Sequence, residues 1–382
     1  MTNVLLTGGR APVTLDLARH FASHQCNVYV ADSLTPFICS RSNAVKQSFV
    51  IPSPRRNLDQ FTAALIDIIE KKNIDVLIPT CEEVFFISMI REQLVKHCSV
   101  FADSLSTLSV LHNKLSFAQL TNSLSIQTPE TVACGSEMLR TIDTSTMVFK
   151  PAFSRFASRT LIKPSRQTVE DNVLRSSDTW IAQRFVKGQE LCSYSVAQNG
   201  EIVAHVTYPS AVKIGKGSCA YFESVIEDRI QVFVQEVVRH FSYTGQIAFD
   251  FIKDEGGEMH VLECNPRATS GIHLLVQEND FFQCFLSQEN PKPIAPIHPS
   301  PRTVKIPALM VTIKRLICFQ PQSYQLLKKV SKAKDVIFSR KDASPSFFQF
   351  YIIFFFVIRG WIRRMSPLAL STEDIEWNGD AS

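Results

Sequence analysis

Hydrophobic and polar positions follow two alternating periods along the first hundred residues. Short apolar runs with a period of two alternate with longer runs in which apolar residues recur at helical spacing. The strand-like runs are 4–6, 27–31 and 75–79, and the helix-like runs are 13–21 and 61–69. Strands that alternate with helices predict a parallel, doubly wound sheet with ligands beyond the carboxyl ends of its strands. We therefore predict an N-terminal α/β domain over residues 1–105.

The pattern changes in the middle of the chain. A helical pattern covers 108–124 and ends before Thr128 and Pro129, and a strand containing residues 147–149 follows. Five later runs alternate in a way that predicts antiparallel sheet, with one helix at 230–241 between them. These runs are 180–185, 191–197, 202–207, 245–252 and 259–264.

The proline-rich segment 287–301 predicts a connector to a C-terminal piece. The expected organisation is therefore a two-part domain over 106–290, with a lid subdomain at about 125–183, and a C-terminal extension over 291–382. The fold class expected from these patterns is an α/β domain followed by an α+β domain with antiparallel sheets.

Composition narrows the class of protein. A chain of 382 residues is longer than one hydrophobic core usually organises. A composition of 45% hydrophobic and 20% charged residues excludes a disordered chain. Lys and Arg number 40 against 36 Asp and Glu, and we take this small excess as spread along the chain, which disfavours nucleic acid as a partner. Ten cysteines without a CxxC pair fit a reducing compartment, and no basic segment precedes Gly8, so we expect a cytoplasmic protein.

The most informative polar residues stand in an apolar hairpin pattern. Asp250 interrupts one strand, and Glu263 and Asn265 share a face at the end of the next, because side chains alternate with period two. Two carboxylates and an amide oxygen suit Mg²⁺ carrying a nucleotide, and Arg267 would reach the same phosphates. The alternative is a pair of solvent-facing edge carboxylates. Charges inside apolar strands are costly without a partner, which favours the metal site.

The run from Glu263 through Asn265 and Arg267 to Gly271, together with Asp250, resembles the metal-binding signature of the ATP-grasp superfamily. Upstream segments occur in the order and approximate spacing of that family, and the resemblance covers residues 1–280. These segments are Leu111-His-Asn-Lys114, Thr128-Pro129, Val148-Phe-Lys150-Pro151 and Gln183-Arg-Phe-Val-Lys-Gly-Gln-Glu190. Within the superfamily the chain most resembles carboxylate-amine ligases and carbamoyl-phosphate-synthase-like proteins.

The resemblance implies a role for each matching position. Lys114 and Lys150 would contact ATP phosphates, the backbone after Gln183 at Phe185 and Val186 would border adenine, and Glu190 would hold the ribose hydroxyls. Lysines neutralise phosphate oxygens and a carboxylate accepts hydrogen bonds from a diol, so the assignments are chemically consistent. Taken singly, Lys114 is more typical of a solvated helix, Lys150 of a strand end and Glu190 of the surface, and only their joint order supports the assigned roles.

The loop after Lys150 departs from the family, which usually places glycines over the triphosphate. Arg155 and Arg159 stand there instead. Guanidinium groups could replace the glycine amides as phosphate contacts, and two surface arginines are the equal alternative. Lys213 and Lys216 lie in a region that often shapes the acceptor pocket, with a solvated loop as the other interpretation.

The implied activity is an ATP- and Mg²⁺-dependent, ADP-forming carboxylate-amine ligase in which Lys150 and Arg267 stabilise the transferred phosphoryl group. Mn²⁺ could replace Mg²⁺, the substrates would be a small carboxylate and an amine, and a homo-oligomer stays open. Two alternatives remain: a non-catalytic or regulatory ATP-binding module, and a phosphotransferase without ligation. An NAD site at Gly8-Gly9-Arg10 with Asp32 ranks low because the motif is not GxGxxG.

Three further features complete the predictions. Cys264 should face the core, and His273 is expected to be packed. Residues 347–358 are strongly apolar and precede Arg359, Arg363 and Arg364, but the charge-free window 343–358 is too short to span a bilayer. We predict a buried helix there and keep peripheral membrane contact through 347–364 as the alternative.

Overall fold

The computed structural model describes residues 1–154, 159–214, 217–286, 293–295 and 300–379. Five strands form an all-parallel N-terminal sheet: β1 (Asn3–Thr7), β2 (Asn27–Asp32), β3 (Gln47–Val50), β4 (Val76–Ile78) and β5 (Ser99–Val100). The order across this sheet is β3-β2-β1-β4-β5. Its connecting helices are α1 (Pro12–Ser23), α2 (Leu58–Lys72), α3 (Glu83–Met89) and α4 (Arg91–Leu94). The predicted parallel α/β architecture is confirmed.

The turn between β1 and α1 requires glycine. Gly8 has φ +76°, and a Cβ built on it would lie 2.6 Å from Oγ1 of Thr80. Any side chain at this position would be strained and would collide with the end of β4. The turn therefore brings the start of α1 close against the carboxyl end of the neighbouring strand.

One predicted helix is in fact two. Residues 108–124 were expected to be continuous, but α5 (Leu105–His112) and α6 (Lys114–Thr121) are separated by Asn113. Asn113 is extended, with ψ 113°, and its side-chain oxygen accepts from the backbone N–H groups of Leu115 and Ser116. Apolar periodicity alone does not reveal this asparagine cap. The break places Lys114 in the first turn of α6.

A four-stranded antiparallel sheet, which we call the lid sheet, comes next. Its elements are β6 (Thr131–Ala133), α7 (Ser136–Thr141), β7 (Met147–Pro151), β8 (Leu161–Ile162), α8 (Arg166–Val169) and β9 (Trp180–Arg184). The strand order is β6-β9-β7-β8, and buried Phe149 and Trp180 belong to its separate core. The run 180–185 therefore pairs with the lid strands. Its alternation had predicted that it shares a sheet with the later strands, and that prediction is wrong.

The central sheet contains the long strands of the molecule. Its region comprises β10 (Gly188–Gln198), β11 (Glu201–Pro209), β12 (Lys213–Ile214), β13 (Ser218–Cys219), β14 (Tyr221–Phe222), α9 (Asp228–His240), β15 (Gly245–Asp254) and β16 (Met259–Asn265). The antiparallel order is β11-β10-β15-β16. Apolar side chains of α9, such as Phe233, pack on Phe249 of β15. The predicted antiparallel character of this part of the chain is confirmed.

The remaining elements pack on both preceding parts of the molecule. They are α10 (Ile272–Leu275), α11 (Gln283–Leu286), β17 (Arg302–Thr303), α12 (Lys305–Ile317), α13 (Ser323–Lys332), β18 (Lys334–Asp335), α14 (Ser344–Arg363) and α15 (Pro367–Leu370). Strand β17 pairs with β14, whereas α14 and the chain after it return to the N-terminal domain. Arg10 binds Asp374 at 2.6 Å, and Trp377 stacks on Phe85 with ring centroids 4.6 Å apart. Most of the predicted proline connector, 287–301, lies outside the described residues.

Helix α14 contradicts the predicted buried helix. Only 28% of its most apolar stretch is buried, although its length and composition would suffice to cross a membrane. Phe347 is 71% exposed and Trp361 84% exposed, whereas Phe356 and Gly360 are buried. The helix therefore packs along one narrow stripe, and an apolar sequence run by itself did not show that the opposite side lacks a partner.

Candidate functional site

The hairpin of β15 and β16 positions the three predicted metal ligands. Asp250 pairs with Glu263 and Ala248 pairs with Asn265 in the antiparallel register, so the three polar side chains share one face. The amide Nδ2 of Asn265 donates to Oδ2 of Asp250 at 3.3 Å. A register irregularity follows Asp250, where the ladder shifts between Asp250 and Phe251. The two carboxylates and the amide therefore converge at one end of the hairpin.

Two lysines from different elements face this hairpin. Nζ of Lys114 lies 3.5 Å, and Nζ of Lys150 lies 3.9 Å, from Oε2 of Glu263. Both lysine side chains are almost completely buried. Lys114 stands at the start of α6 and Lys150 near the end of β7. The helix break at Asn113 and the lid sheet thus bring two cations from distant sequence positions onto one carboxylate.

The charges perturb one another strongly. Burial raises the pKa of the Asp250 carboxyl, and the nearby negative charge of Glu263 adds to the shift. Burial alone would raise the pKa of Glu263 as well, but Lys114 and Lys150 outweigh it and hold that pKa below its usual range. Burial lowers the pKa of Lys150 to about 8. Such opposed shifts within one cavity are typical of functional sites.

Arg267 extends the polar cluster. Its guanidinium donates to Oδ1 of Asn265 at 2.9 Å, and its Nε lies 3.7 Å from Oε1 of Glu82. Glu82 is buried at the N-terminal end of α3. Arg267 therefore joins the hairpin to the carboxyl end of β4. Its position in the cavity beside Asn265 leaves it next to the predicted metal ligands.

The predicted nucleotide contacts lie at the junction of the lid sheet and the central sheet. Gln183 is buried, and its amide donates to Oγ1 of Thr131 at 3.0 Å. Phe185 and Val186 follow the last residue of β9, and the backbone N–H of Phe185 donates to the carbonyl of Thr146. Glu190 forms an ion pair with Lys213. The lysine in the predicted acceptor region thus partners the residue predicted to bind ribose.

All ten predicted site residues line one cavity of about 530 Å³. They are Lys114, Lys150, Gln183, Phe185, Val186, Glu190, Asp250, Glu263, Asn265 and Arg267. The cavity also has walls that the sequence patterns did not reveal. Apolar side chains of Val148, Ile162 and Leu262 contribute on the lid and hairpin side. Their spacing resembles that of core positions, so no sequence signal separates them from buried residues.

Two other regions contribute cavity walls that were missed. Phe37 from the N-terminal domain and Phe356 from α14 both line the cavity. So do Arg10, in the turn before α1, and Thr372, after α15. The return of the C-terminal extension to the N-terminal domain brings Phe356 and Thr372 to the site. No contribution of the extension to the site was predicted.

Several other predicted features occupy definite positions. Arg159 is exposed, pairs with Asp178 and lies over the ring of Trp180, and it does not line the cavity although its neighbour Thr160 does. Arg155 and Lys216 lie outside the described residues. The carboxylate of Asp32 binds the guanidinium of Arg10. This structural ion pair further disfavours a dinucleotide site.

The remaining two predictions concern core packing. Cys264 is 2% exposed and belongs to the hydrophobic core, as expected for the opposite face of β16. His273 is 1% exposed, and its Nδ1 lies 2.8 Å from Oδ2 of Asp16. Both side chains are therefore structural in this arrangement.

The donor set is suitable for a hard divalent cation. Mg²⁺ prefers carboxylate, carbonyl and water oxygens and usually keeps several positions for phosphates. Asp250 and Glu263 offer carboxylates within one buried cluster, where their mutual repulsion raises the pKa of Asp250. Among the described residues no group of three His, Cys, Asp or Glu side chains converges, so a cation here would depend on the Asn265 amide and on nucleotide oxygens.

Comparison with known proteins agrees with this geometry. Residues 111–271 match the sequence profile of the ATP-grasp domain. No curated protein sequence matches the chain. The L-amino acid ligase from Bacillus licheniformis has a similar fold, with a TM-score of 0.59 at 14% identity over 75% of this chain and 73% of that chain.

Two other solved structures contain nucleotide. N5-carboxyaminoimidazole synthetase from Staphylococcus aureus complexed with ADP gives a TM-score of 0.61 at 14% identity, covering 78% of this chain and 80% of that chain. The biotin carboxylase domain of Hydrogenobacter thermophilus 2-oxoglutarate carboxylase, with MgADP and bicarbonate, gives 0.58 at 11% identity, covering 76% and 71%. At these identities the likeness establishes the fold. Together with the matched profile, it shows that residues 111–271 form an ATP-grasp domain within this chain.

Proposed function

We propose that this protein is an ATP- and Mg²⁺-dependent ligase that activates a carboxylate as an acyl phosphate for attack by an amine. The observation that carries the proposal is the convergence of Lys114 and Lys150 on Glu263, beside Asp250, in a cavity large enough for a nucleotide. The products would be ADP, phosphate and the amide. Solved structures of similar fold include ligases and carboxylases, two of them with ADP.

The residues of the cavity would act by positioning and by neutralising charge. Lys114 and Lys150 would hold phosphate oxygens, and Arg267 would face the transferred phosphoryl group because it lies beside Asn265. Asp250, Glu263 and the Asn265 amide would hold Mg²⁺, which when bound would supply Lewis-acid charge stabilisation. Ligation through Asn265 requires a half-turn of its amide, since its NH₂ end now faces Asp250.

The nucleoside would lie between the lid sheet and the central sheet. Val148, Ile162 and Leu262 supply apolar surface for a base, and the backbone at Phe185 and Val186 supplies polar groups at the same edge. Glu190 would accept hydrogen bonds from ribose hydroxyls after exchanging part of its contact with Lys213. In this arrangement apolar residues would contact the base of ATP, and the lysines would contact its phosphates.

The acceptor side of the cavity has an apolar contribution. Pro36 and Phe37 of the N-terminal domain and Ile352 and Phe356 of α14 line it. A small carboxylate or amine with an apolar side chain would bury that group against these residues. Lys213 offers a positive charge for a carboxylate near the same cavity.

A screen for ADP release with amino acids and small carboxylates tests the proposal. Hydroxylamine added to the reaction would convert an acyl phosphate to a hydroxamate, which separates carboxylate activation from simple ATP hydrolysis. ADP release with a stable phosphorylated product and no amide would instead indicate a phosphotransferase. Nucleotide binding without turnover across the screen would indicate a regulatory module.

We propose a cytoplasmic location for the protein. No disulfide joins the ten cysteines, all of which lie within the described residues, and thiols stay reduced in that compartment. Fractionation of cells that express a tagged protein, with a cytoplasmic and a periplasmic or secreted marker, tests this location.

A further inference from the structure

Helix α14 presents a continuous apolar face to solvent, which we call the outer face. Its members are spaced three or four residues apart along one side of the helix: Phe347, Phe350, Tyr351, Phe354, Val357 and Trp361. Each of these six side chains is more than half exposed, from 53% for Val357 to 84% for Trp361. An aromatic stripe of this length, left open to water along four turns, marks an interaction surface.

The opposite side of α14 holds the helix on the protein body. Ser346, Gln349, Phe356 and Gly360 are buried, and Phe356 packs in a small apolar cluster with Leu34 and Leu370. A Cβ on Gly360 would lie 2.7 Å from the carbonyl oxygen of Met365, so the chain after α14 closes tightly over it. Because one side of α14 is fixed in this way, a partner can reach only the outer face. The helix cannot cross a bilayer while these contacts persist.

Positive charge is concentrated in the stretch of sequence that includes this helix. Residues 305–364 contain twelve Lys and Arg against two Asp and Glu, which corrects the expectation that the basic excess is spread along the chain. The twelve are Lys305, Lys314, Arg315, Lys328, Lys329, Lys332, Lys334, Arg340, Lys341, Arg359, Arg363 and Arg364. The rest of the chain is therefore net acidic, since the whole carries only +4.

The basic groups nearest the outer face come from both ends of α14 and from a neighbouring turn. Arg340 and Lys341 are exposed just before the helix, and Arg364 is exposed at its end. The guanidinium of Arg41 lies 5.0 Å from the ring centroid of Phe348. The carboxylates beside the two ends of α14 are already paired: Asp342 binds Arg19 at 2.8 Å, and Glu373 binds Arg363 at 2.6 Å.

We propose that the protein docks peripherally on an anionic lipid bilayer, with α14 lying along the interface and its outer face inserted among the acyl chains. An amphipathic helix with aromatic residues on one side and basic residues beside it is suited to this environment. Trp and Tyr are favoured at the boundary between headgroups and hydrocarbon, and Arg and Lys bind anionic headgroups. A protein partner would not need so strong a local excess of one charge sign.

Vesicle flotation tests the docking directly. The full chain should float with phosphatidylcholine vesicles that contain about 30% phosphatidylglycerol and should bind pure phosphatidylcholine much less, because anionic lipid supplies about 1 kcal/mol per basic residue. The triple variant Phe350→Ser, Phe354→Ser and Trp361→Ser should lose binding at least about tenfold. The matched control, Val50→Ser with Ile226→Ser and Val232→Ser, removes equally exposed apolar groups elsewhere and should bind as the wild type does.

The charge contribution has its own variant. Arg340→Gln with Lys341→Gln leaves the outer face intact and should weaken binding to anionic vesicles by about fivefold for each charge removed. Raised salt should reduce wild-type binding in the same direction. Circular dichroism of every variant checks that the fold persists, which the exposure of the replaced side chains leads us to expect.

Tryptophan emission reports insertion. Trp180 and Trp377 are each 4% exposed, so Trp361 is the tryptophan whose surroundings change when α14 enters lipid. Anionic vesicles should shift the emission to shorter wavelength and protect it from iodide, and Trp361→Phe should abolish the shift while retaining flotation. Wild-type protein that stays in the aqueous fraction with anionic vesicles at low salt overturns the proposal. The proposal is also overturned if the protein forms a dimer through the outer face and does not bind the vesicles.

Discussion

Nζ of Lys114 lies 3.5 Å from Oε2 of Glu263, although 148 residues separate them along the chain. The pair joins the first turn of α6 to the end of β16 and holds the Glu263 pKa below its usual range against the effect of burial. Because both side chains line the cavity, a bound nucleotide can reach them. The break between α5 and α6, which places Lys114 in the first turn of α6, therefore matters for the proposed chemistry.

Removing the charge of Asp250 should reduce activity without unfolding the protein. Asp250→Asn abolishes the repulsion from Glu263 that contributes to the raised pKa of Asp250, so the free energy of unfolding should stay equal or rise. If the proposed activity is correct, ADP release should fall by on the order of 100-fold or more, because the charge of a proposed metal ligand is lost. Urea unfolding and the ADP assay together separate the two effects.

The control for this variant is Glu258→Gln. Glu258 is exposed in the same hairpin, and its carboxylate forms an ion pair with Arg229 at 3.3 Å. Loss of activity in this control, or wild-type activity in Asp250→Asn, would contradict the assigned metal site.

Lys114 should contribute to nucleotide affinity. Lys114→Met keeps an unbranched apolar side chain at this buried position but removes the ammonium group. A hydrogen bond to a charged group contributes about 1.5–3 kcal/mol, so the dissociation constant for Mg-ATP should rise by roughly 10- to 100-fold. Calorimetric titration measures this change. The exposed Lys96 provides the comparison, and Lys96→Met should leave the affinity unaltered.

The C-terminal extension should be anchored by a buried charge network. Asp374 binds Arg10, which also binds Asp32, and all three side chains are at most 8% exposed. Asp374→Ala leaves the arginine without one of its two carboxylates, and a broken buried pair costs about 3 kcal/mol or more. Urea unfolding should show that loss. The exposed pair of Asp67 and Lys71 is the reference, since Asp67→Ala should cost less than about 1 kcal/mol.

Acid should destabilise the protein through His205. Burial lowers its pKa to about 4, and its ring nitrogens contact Ser195 and Thr207. The unfolded chain binds a proton as the pH falls through about 6.5, but the folded chain does not until about pH 4. Stability is therefore lost over this window as the pH falls, by about 2 kcal/mol between pH 7 and pH 5.

The difference in unfolding free energy between pH 7 and pH 5 measures that contribution. His205→Gln should reduce the difference by about 2 kcal/mol. His240→Gln, at an exposed position, should leave it unchanged. An equal difference in wild type and His205→Gln would show that another group is responsible.

Local pattern determined much of this protein. The alternation of strand and helix periods predicted the parallel N-terminal sheet, and the spacing of Asp250, Glu263 and Asn265 predicted their common face, because side-chain direction in a strand follows from position alone. The register that pairs Asp250 with Glu263 is local too, since a short turn joins the two strands. The three polar residues of this hairpin therefore meet at one wall of the cavity.

Tertiary structure decided what depends on distant partners. The strand at Trp180–Arg184 has the same alternation as later strands, and only packing assigned it to the lid sheet. Phe356 lines the cavity because the chain end returns to the N-terminal domain, a contact that no local period encodes. The apolar run in α14 determined a helix, but whether its outer face has a partner depends on what packs beside it. Periodicity specifies a side chain's direction, and long-range packing specifies its neighbour.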